Sequence, residues 1–326
     1  MKRQTERQDL LEQAERFEQS GEWNRAVQIY RRMVKTEKNP AVWGAYAWGL
    51  LGNRQFKEAL EAAKKMAVLL KKHSSPTLLA SVRGLIGYVH HCAGRRVLAE
   101  RYYRQSIEQY PRAEIYVLLG TLLREQEKNI EAKVCYQKAL EIEPRYVEAR
   151  YNLALWYRRH HDMHRAAEHL RKVLEINPSY APALSLYATV LWQEGGKGID
   201  EAKKRLHQAL RLQPGRSESH VFLAYCLISR GKIHLAKQQL QQAIDKLPDN
   251  STLWWSYGWL LGEFFDDAEQ AEVCFRRALE LNPRDGLGYF YFAEFLQHRE
   301  RFSEARAALQ KAADMGVTKA REPREA

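Results

Sequence analysis

The chain has 326 residues, of which 45% are hydrophobic and 28% charged, and it carries a formal charge of +12 at pH 7. Those proportions are those of a folded protein and exclude a disordered or collagen-like chain. The apolar stretch Ala41 to Leu51 soon meets Arg54 and Lys57, well short of the ~20 apolar residues that span a bilayer. Two early positive charges at the N-terminus have no apolar segment behind them, so the expected compartment is the cytoplasm and no membrane contact is expected.

Taken in chain order, small and large apolar residues recur with a period near 34, which is the signature of a repeat array. The first unit, 7–40, is loose and carries Leu10, Ala14, Phe17, Ala26 and Tyr30. The second, 40–73, has Trp43, Tyr46, Ala47, Leu50, Ala59, Ala63 and Met66, and the third, 80–112, has Gly87, Ala99, Tyr103 and Pro111. From 113–146 the pattern is sharp, with Tyr116, Leu119, Gly120, Leu123, Ala132, Tyr136, Ala139 and Pro144. The unit 147–180 repeats the same offsets with Leu153, Ala154, Tyr157, Ala166, Leu170 and Pro178. The unit 181–216 contains an insertion at Gly195-Gly196-Lys197-Gly198, 217–250 has none, and 251–285 has one extra residue near Phe264-Phe265-Asp266-Asp267. The last copy, 286–319, holds Ala293, Leu296, Ala305, Leu309 and Ala312 before a charged tail, 320–326. Within each unit the apolar spacing of three and four predicts two amphipathic helices. Small residues such as Gly120 and Ala132 mark where the two axes come closest, and the recurrent proline ends the second helix.

This pattern resembles the tetratricopeptide repeat family over residues 7–319, in about nine copies forming a single domain. The resemblance implies an all-α, right-handed superhelical solenoid of antiparallel helix hairpins. It also implies a non-enzymatic scaffold or adaptor whose first helices line a concave groove. One hairpin cannot bury its own apolar face, so stability is expected to come from stacking.

In that register the groove-facing residues include Trp48, Tyr88, Thr121, Tyr151, Leu155, Thr189, Trp192, Tyr225, Trp255, Trp259 and Phe290, with Arg124, Arg158 and Arg159 beside them. Bulky aromatics on a face not needed for the hairpin core point to a surface for a protein segment, a peptide or helix; the alternative is that neighbouring repeats bury some of these rings. The three arginines suit bidentate binding of a carboxylate or phosphate, or else are solvated turn charges. The lysines and asparagines with which some family members clamp a terminal carboxylate of heat-shock chaperones are missing, and only Asn152 stands where others carry an asparagine ladder. Recognition by side chains of an apolar or amphipathic segment is therefore expected.

Between Arg54 and Arg112 twelve Lys and Arg face four Glu. The basic patch drawn from it comprises Lys64, Lys65, Lys71, Lys72, Arg95, Arg96, Arg101 and Arg104, near Tyr102 and Tyr103. It suits an acidic protein or a nucleic acid, the latter giving the alternative function of a nucleic-acid-associated regulator; it also suits a solvated helix face. His160, His161, Asp162, His164 and His169 cluster at a predicted turn and lack a clear fourth zinc ligand, so no metal is expected there. No cofactor, phosphate loop or catalytic constellation is expected either. Cys92, Cys135, Cys226 and Cys274 lie far apart and read as reduced packing thiols. The absence of a further amphipathic helix after Ala312 predicts a C-terminal edge able to dock on a subunit or a second copy.

Overall fold

Helix signals dominate the sequence, and in the computed structural model, which describes residues 2–36, 38–70, 75–193 and 198–317, the described residues form eighteen α-helices and no strand. The Gly195-Gly196-Lys197 insertion, Lys71, Lys72, Lys319 and the tail 320–326 lie outside the described residues. The chain separates into two compact units, residues 1–156 and 157–326.

The first unit contains α1 (Lys2–Gln19), α2 (Trp23–Thr36), α3 (Pro40–Gly52), α4 (Phe56–Leu69), α5 (Pro76–Cys92), α6 (Arg96–Gln109), α7 (Ala113–Glu125) and α8 (Asn129–Ile142), paired as successive hairpins. The dividing point falls within α9 (Val147–Arg159). The second unit continues with α10 (Met163–Ile176), α11 (Ala181–Gln193), α12 (Ile199–Leu212), α13 (Ser217–Ile228), α14 (Ile233–Lys246), α15 (Ser251–Phe264), α16 (Ala268–Leu281), α17 (Gly286–His298) and α18 (Phe302–Asp314). In both units the first helices of successive hairpins touch one another, α3 with α5 and α5 with α7, and α11 with α13, α13 with α15 and α15 with α17. Second helices α2, α4, α6, α12, α14 and α16 each meet both their own partner and the next first helix. First helices therefore form the inner side of each unit.

Apart from the α11/α12 turn, which contains residues outside those described, each hairpin turn ends its first helix with a residue in the left-handed region, where the chain reverses without breaking its hydrogen bonds. Gly21, Gly94 and Gly231 fill this place at φ 76°, 73° and 69°, whereas Arg54, Glu127, His161 and Glu300 fill it at φ 57°, 63°, 60° and 60°. The following amide donates back across the turn, as Lys128 N does to Leu123 O at 2.9 Å and Asp162 N to Tyr157 O at 3.0 Å, closing the Schellman pattern that satisfies helix-end carbonyls. His161 is thus a turn former. Asp162 caps α10 by accepting from Arg165 N, and His169 stacks on Tyr157, with ring centres 5.4 Å apart. Among the described residues no three His, Cys, Asp or Glu side chains converge as a metal-binding group.

The core follows the repeat. Tyr103, Tyr136 and Phe275 are fully buried in second helices. Opposite them the first helices carry glycine, since a Cβ on Gly87, Gly120 or Gly258 would lie 2.8, 2.6 or 3.2 Å from the respective ring. Where the buried residue is a leucine, as at Leu206, Leu240 and Leu309, the corresponding first-helix residue is Ala188, Ala224 or Ala293. In these hairpins the larger side chain faces the smaller one, which keeps the interhelical packing dense. Cys135, Cys226 and Cys274 are buried free thiols in this packing, and Cys92 is exposed and also unbridged.

Among the described residues, no helix is long and apolar enough to cross a membrane. The exposed side of α18 presents Ser303, Glu304, Arg306, Gln310, Lys311 and Asp314 together with Phe302, Ala307 and Ala313. Val317 folds back towards Gly286, where an added Cβ would come within 2.7 Å of its side chain.

Candidate functional site

The inner side of the second unit carries a connected run of aromatic rings. Trp192 on α11 stacks on Tyr225 of α13, with centroids 5.7 Å apart and planes 21° off parallel. Tyr225 meets Trp259 of α15 edge-on at 5.6 Å, and Trp259 meets Phe264 in the same manner at 5.7 Å. Phe222 completes the first cluster, 6.4 Å from Trp192 and 5.9 Å from Tyr225. These rings come from helices three or four residues per step, so Phe222 and Tyr225, like Trp255 and Trp259, fall on one stripe. The Trp192 indole N–H donates to Ser229 Oγ at 3.0 Å, which fixes the ring. Trp192, Tyr225 and Trp259 are half-buried. Edge-to-face and offset contacts of this kind add about 0.5–1.5 kcal/mol each beyond burial, so the run is rigid before any partner arrives.

Trp255 differs from the sequence expectation. It is 5% exposed and its ring lies flat on Tyr291 of α17, 4.8 Å away and 13° from parallel. The next hairpin covers it. Thr189 is likewise buried, its hydroxyl donating to Ser185 O at 2.9 Å. Phe290 remains half-buried beside Tyr291 at 5.5 Å. Sequence reading missed Phe222, Tyr291, Glu263 and Glu294; the helical spacing of Phe222 to Tyr225 and of Trp259 to Glu263 was the available signal.

Where the ring run ends, α15 and α17 open a cleft of about 560 Å³ lined by Trp259, Gly262, Glu263, Asp266, Glu294, Phe295, His298 and Arg299. Arg299 is held by Asp266 at 2.6 Å. Burial, with Glu263 nearby, raises the Glu294 carboxyl above the usual carboxylate range, against the opposing influence of His298.

The first unit has a smaller aromatic step. Trp48, 44% exposed, sits 5.1 Å from Tyr88, and both line a cleft of about 410 Å³ with Arg112 and Glu114. Arg124 donates to Asn152 Oδ1 at 3.4 Å, and Asn152 in turn donates to Glu148 O at 2.8 Å, so both are engaged within the unit. Tyr151 and Leu155 are half-buried on α9. Arg158, half-buried, and Arg159, exposed, belong to the second unit.

The described members of the basic patch are all exposed, but they are not equivalent. Lys64 pairs with Glu61 at 2.8 Å, and Arg104 pairs with Glu100 at 2.9 Å and Glu131 at 3.5 Å. Arg95, Arg96, Arg101 and Lys65 form no ion pair with the other described residues. Tyr102 is spent on a stack with His90 at 5.4 Å, and Tyr103 is in the core.

The profile of the tetratricopeptide repeat family matches three segments, 111–179, 199–256 and 251–285. Over 152 residues the chain is 30% identical to Protein O-mannosyl-transferase TMTC3 of Homo sapiens, a match that covers 45% of this chain and only 16% of that protein. A tetratricopeptide repeat protein from Parabacteroides merdae superposes with a TM-score of 0.65 at 18% identity, over 74% of this chain and 94% of its own. IFIT1 with m7Gppp-AAAA superposes with a TM-score of 0.56 at 14% identity, over 93% of this chain and 80% of its own. At these identities the two structural likenesses are of fold.

Proposed function

Because the chain belongs to the tetratricopeptide repeat family, we propose that it is a non-enzymatic scaffold or adaptor that holds a segment of a partner protein on the aromatic inner face of its second unit. The observation that carries this reading is the half-exposed, mutually packed run Trp192, Tyr225 and Trp259. Tryptophan and tyrosine dominate interface hot spots, and rings already fixed by their neighbours lose little freedom on binding. Trp48 and Tyr88 offer a second aromatic contact in the first unit. The TMTC3 match covers too small a part of that transferase to bring its activity here.

The test is affinity capture with the full chain and with a Trp192→Ala/Trp259→Ala variant of unchanged helicity. Partners retained equally by both proteins would remove the aromatic face from the account.

A second reading, nucleic-acid association, is favoured by the four uncompensated cations Arg95, Arg96, Arg101 and Lys65 and by the fold shared with IFIT1. It predicts salt-sensitive binding of single-stranded RNA that is lost on Arg95→Ala/Arg96→Ala/Arg101→Ala. Heparin binding without RNA binding would sink it.

A further inference from the structure

The inner face of the second unit has a sign of charge as well as a shape. Helices α11, α13, α15 and α17 contain neither lysine nor arginine, in a chain that has 52 of them. Their acidic residues are Glu218, Glu263 and Glu294. Apart from Arg158 and Arg159 at the end of α9, the cations of this unit sit on second helices and turns, among them Lys203, Lys204 and Arg211 on α12 and Arg276 and Arg277 on α16. An acidic, aromatic surface is thus set into a basic protein.

The cleft at the end of the ring run concentrates this charge. Trp259 and Glu263 are one turn apart on α15, Asp266 lies in the turn that follows it, and Glu294 and His298 are one turn apart on α17. Asp266 is neutralised by Arg299. Glu263 and Glu294, by contrast, make no ion pair and no side-chain hydrogen bond with any other described residue. Two carboxylates face one cleft; burial chiefly raises the pKa of half-buried Glu294, and repulsion from Glu263 adds a smaller part. A cation placed between them would remove that repulsion and could also lie against the face of Trp259.

We infer that this cleft receives a lysine or arginine side chain of a basic, apolar partner segment, whose apolar residues lie along Trp192 and Tyr225. The inference rests on the aromatic-face reading and narrows its partner class. The same carboxylates disfavour an acidic peptide or a phosphate backbone, because like charges meet there at close range.

The experiment selects a random short-peptide phage library on the full chain and measures the enriched peptides, as free synthetic peptides, against variants. Enriched peptides are expected to combine Lys or Arg with aromatic or aliphatic residues. They should lose binding to Trp259→Ala, and weaken about tenfold, the size of one partly desolvated cation contact, to Glu263→Gln/Glu294→Gln. Trp192→Ala serves in place of Trp259→Ala if the latter alters the melting curve. Peptides that depend on either tryptophan but carry no excess of Lys or Arg, or that ignore the two glutamate substitutions, overturn the cation assignment and leave the aromatic face standing. Selected peptides indifferent to both tryptophans, or no selected peptide at all, overturn the two together.

Discussion

Replacing Gly120 by alanine should have opposite effects in two backgrounds. The new Cβ would lie 2.6 Å from Tyr136 Cε1 and 3.0 and 3.1 Å from the next ring atoms, inside any real carbon contact, and Tyr136 is 1% exposed with no room to retreat. Overpacking of this kind costs about 1–3 kcal/mol. Removing a helix-interior glycine returns ~1 kcal/mol, so Gly120→Ala alone should destabilise the α7/α8 hairpin by up to about 2 kcal/mol. With Tyr136→Leu already in place the clash disappears, and the pair becomes the Ala/Leu combination found at Ala188/Leu206 and Ala224/Leu240. There the alanine should stabilise by ~1 kcal/mol. A repeat array need not unfold in one step, so the assay is amide hydrogen exchange resolved to peptides of α7 and α8 rather than a single global melt. An alanine effect of equal sign and size in both backgrounds would refute the size-complementarity argument.

Three further outcomes follow from the same coordinates. His161→Gly and Glu300→Gly, each at φ 60°, should stabilise their hairpins by about 0.5–1 kcal/mol, because a left-handed non-glycine residue costs ~1–2 kcal/mol and glycine entropy offsets part of the gain; thermal melts of the two variants check this. Arg301, with Arg276, holds the Glu272 carboxylate below the usual range through bonds of 2.6 Å each. A depressed folded pKa contributes stability that is complete above the unfolded value and is lost as pH falls through the folded one. Exchange protection of α16 and α18 should therefore drop in acid, and Arg301→Gln should reduce that drop, leaving the part due to Arg276. Burial pushes the thiols of Cys135, Cys226 and Cys274 up to about 11, so at pH 8 a thiol reagent should modify exposed Cys92 first and the other three only in denaturant.

The repeat was legible because packing of identical hairpins imposes a fixed order of small and large residues, and Gly120, Tyr136 and Pro144 announce it without any neighbour. Facing was legible too, since Trp192, Tyr225 and Trp259 lie where the 3.6-residue period puts them. Coverage was not. Trp255 sits on the same stripe as Trp259, yet Tyr291 of the following hairpin lies over it, and no periodicity within α15 reports what a residue 36 positions away will do. Charge compensation failed for the same reason. The Arg104–Glu100 pair is an i, i+4 contact within α6, but the reach of Arg104 to Glu131 of the next hairpin cannot be read from that helix. The cleft that brings Glu263 and Glu294 together exists only once α15 and α17 pack, so it could not be read from either helix alone.

The most direct measurement of the central claim is hydrogen exchange of the full chain with and without a captured protein partner. Binding on the second unit's inner face predicts new protection in peptides of α11, α13, α15 and α17 that contain Trp192, Tyr225, Trp259 and Phe290, with α4 and α6 unchanged. Protection confined to α4 and α6, or absent from all four inner helices, would contradict it.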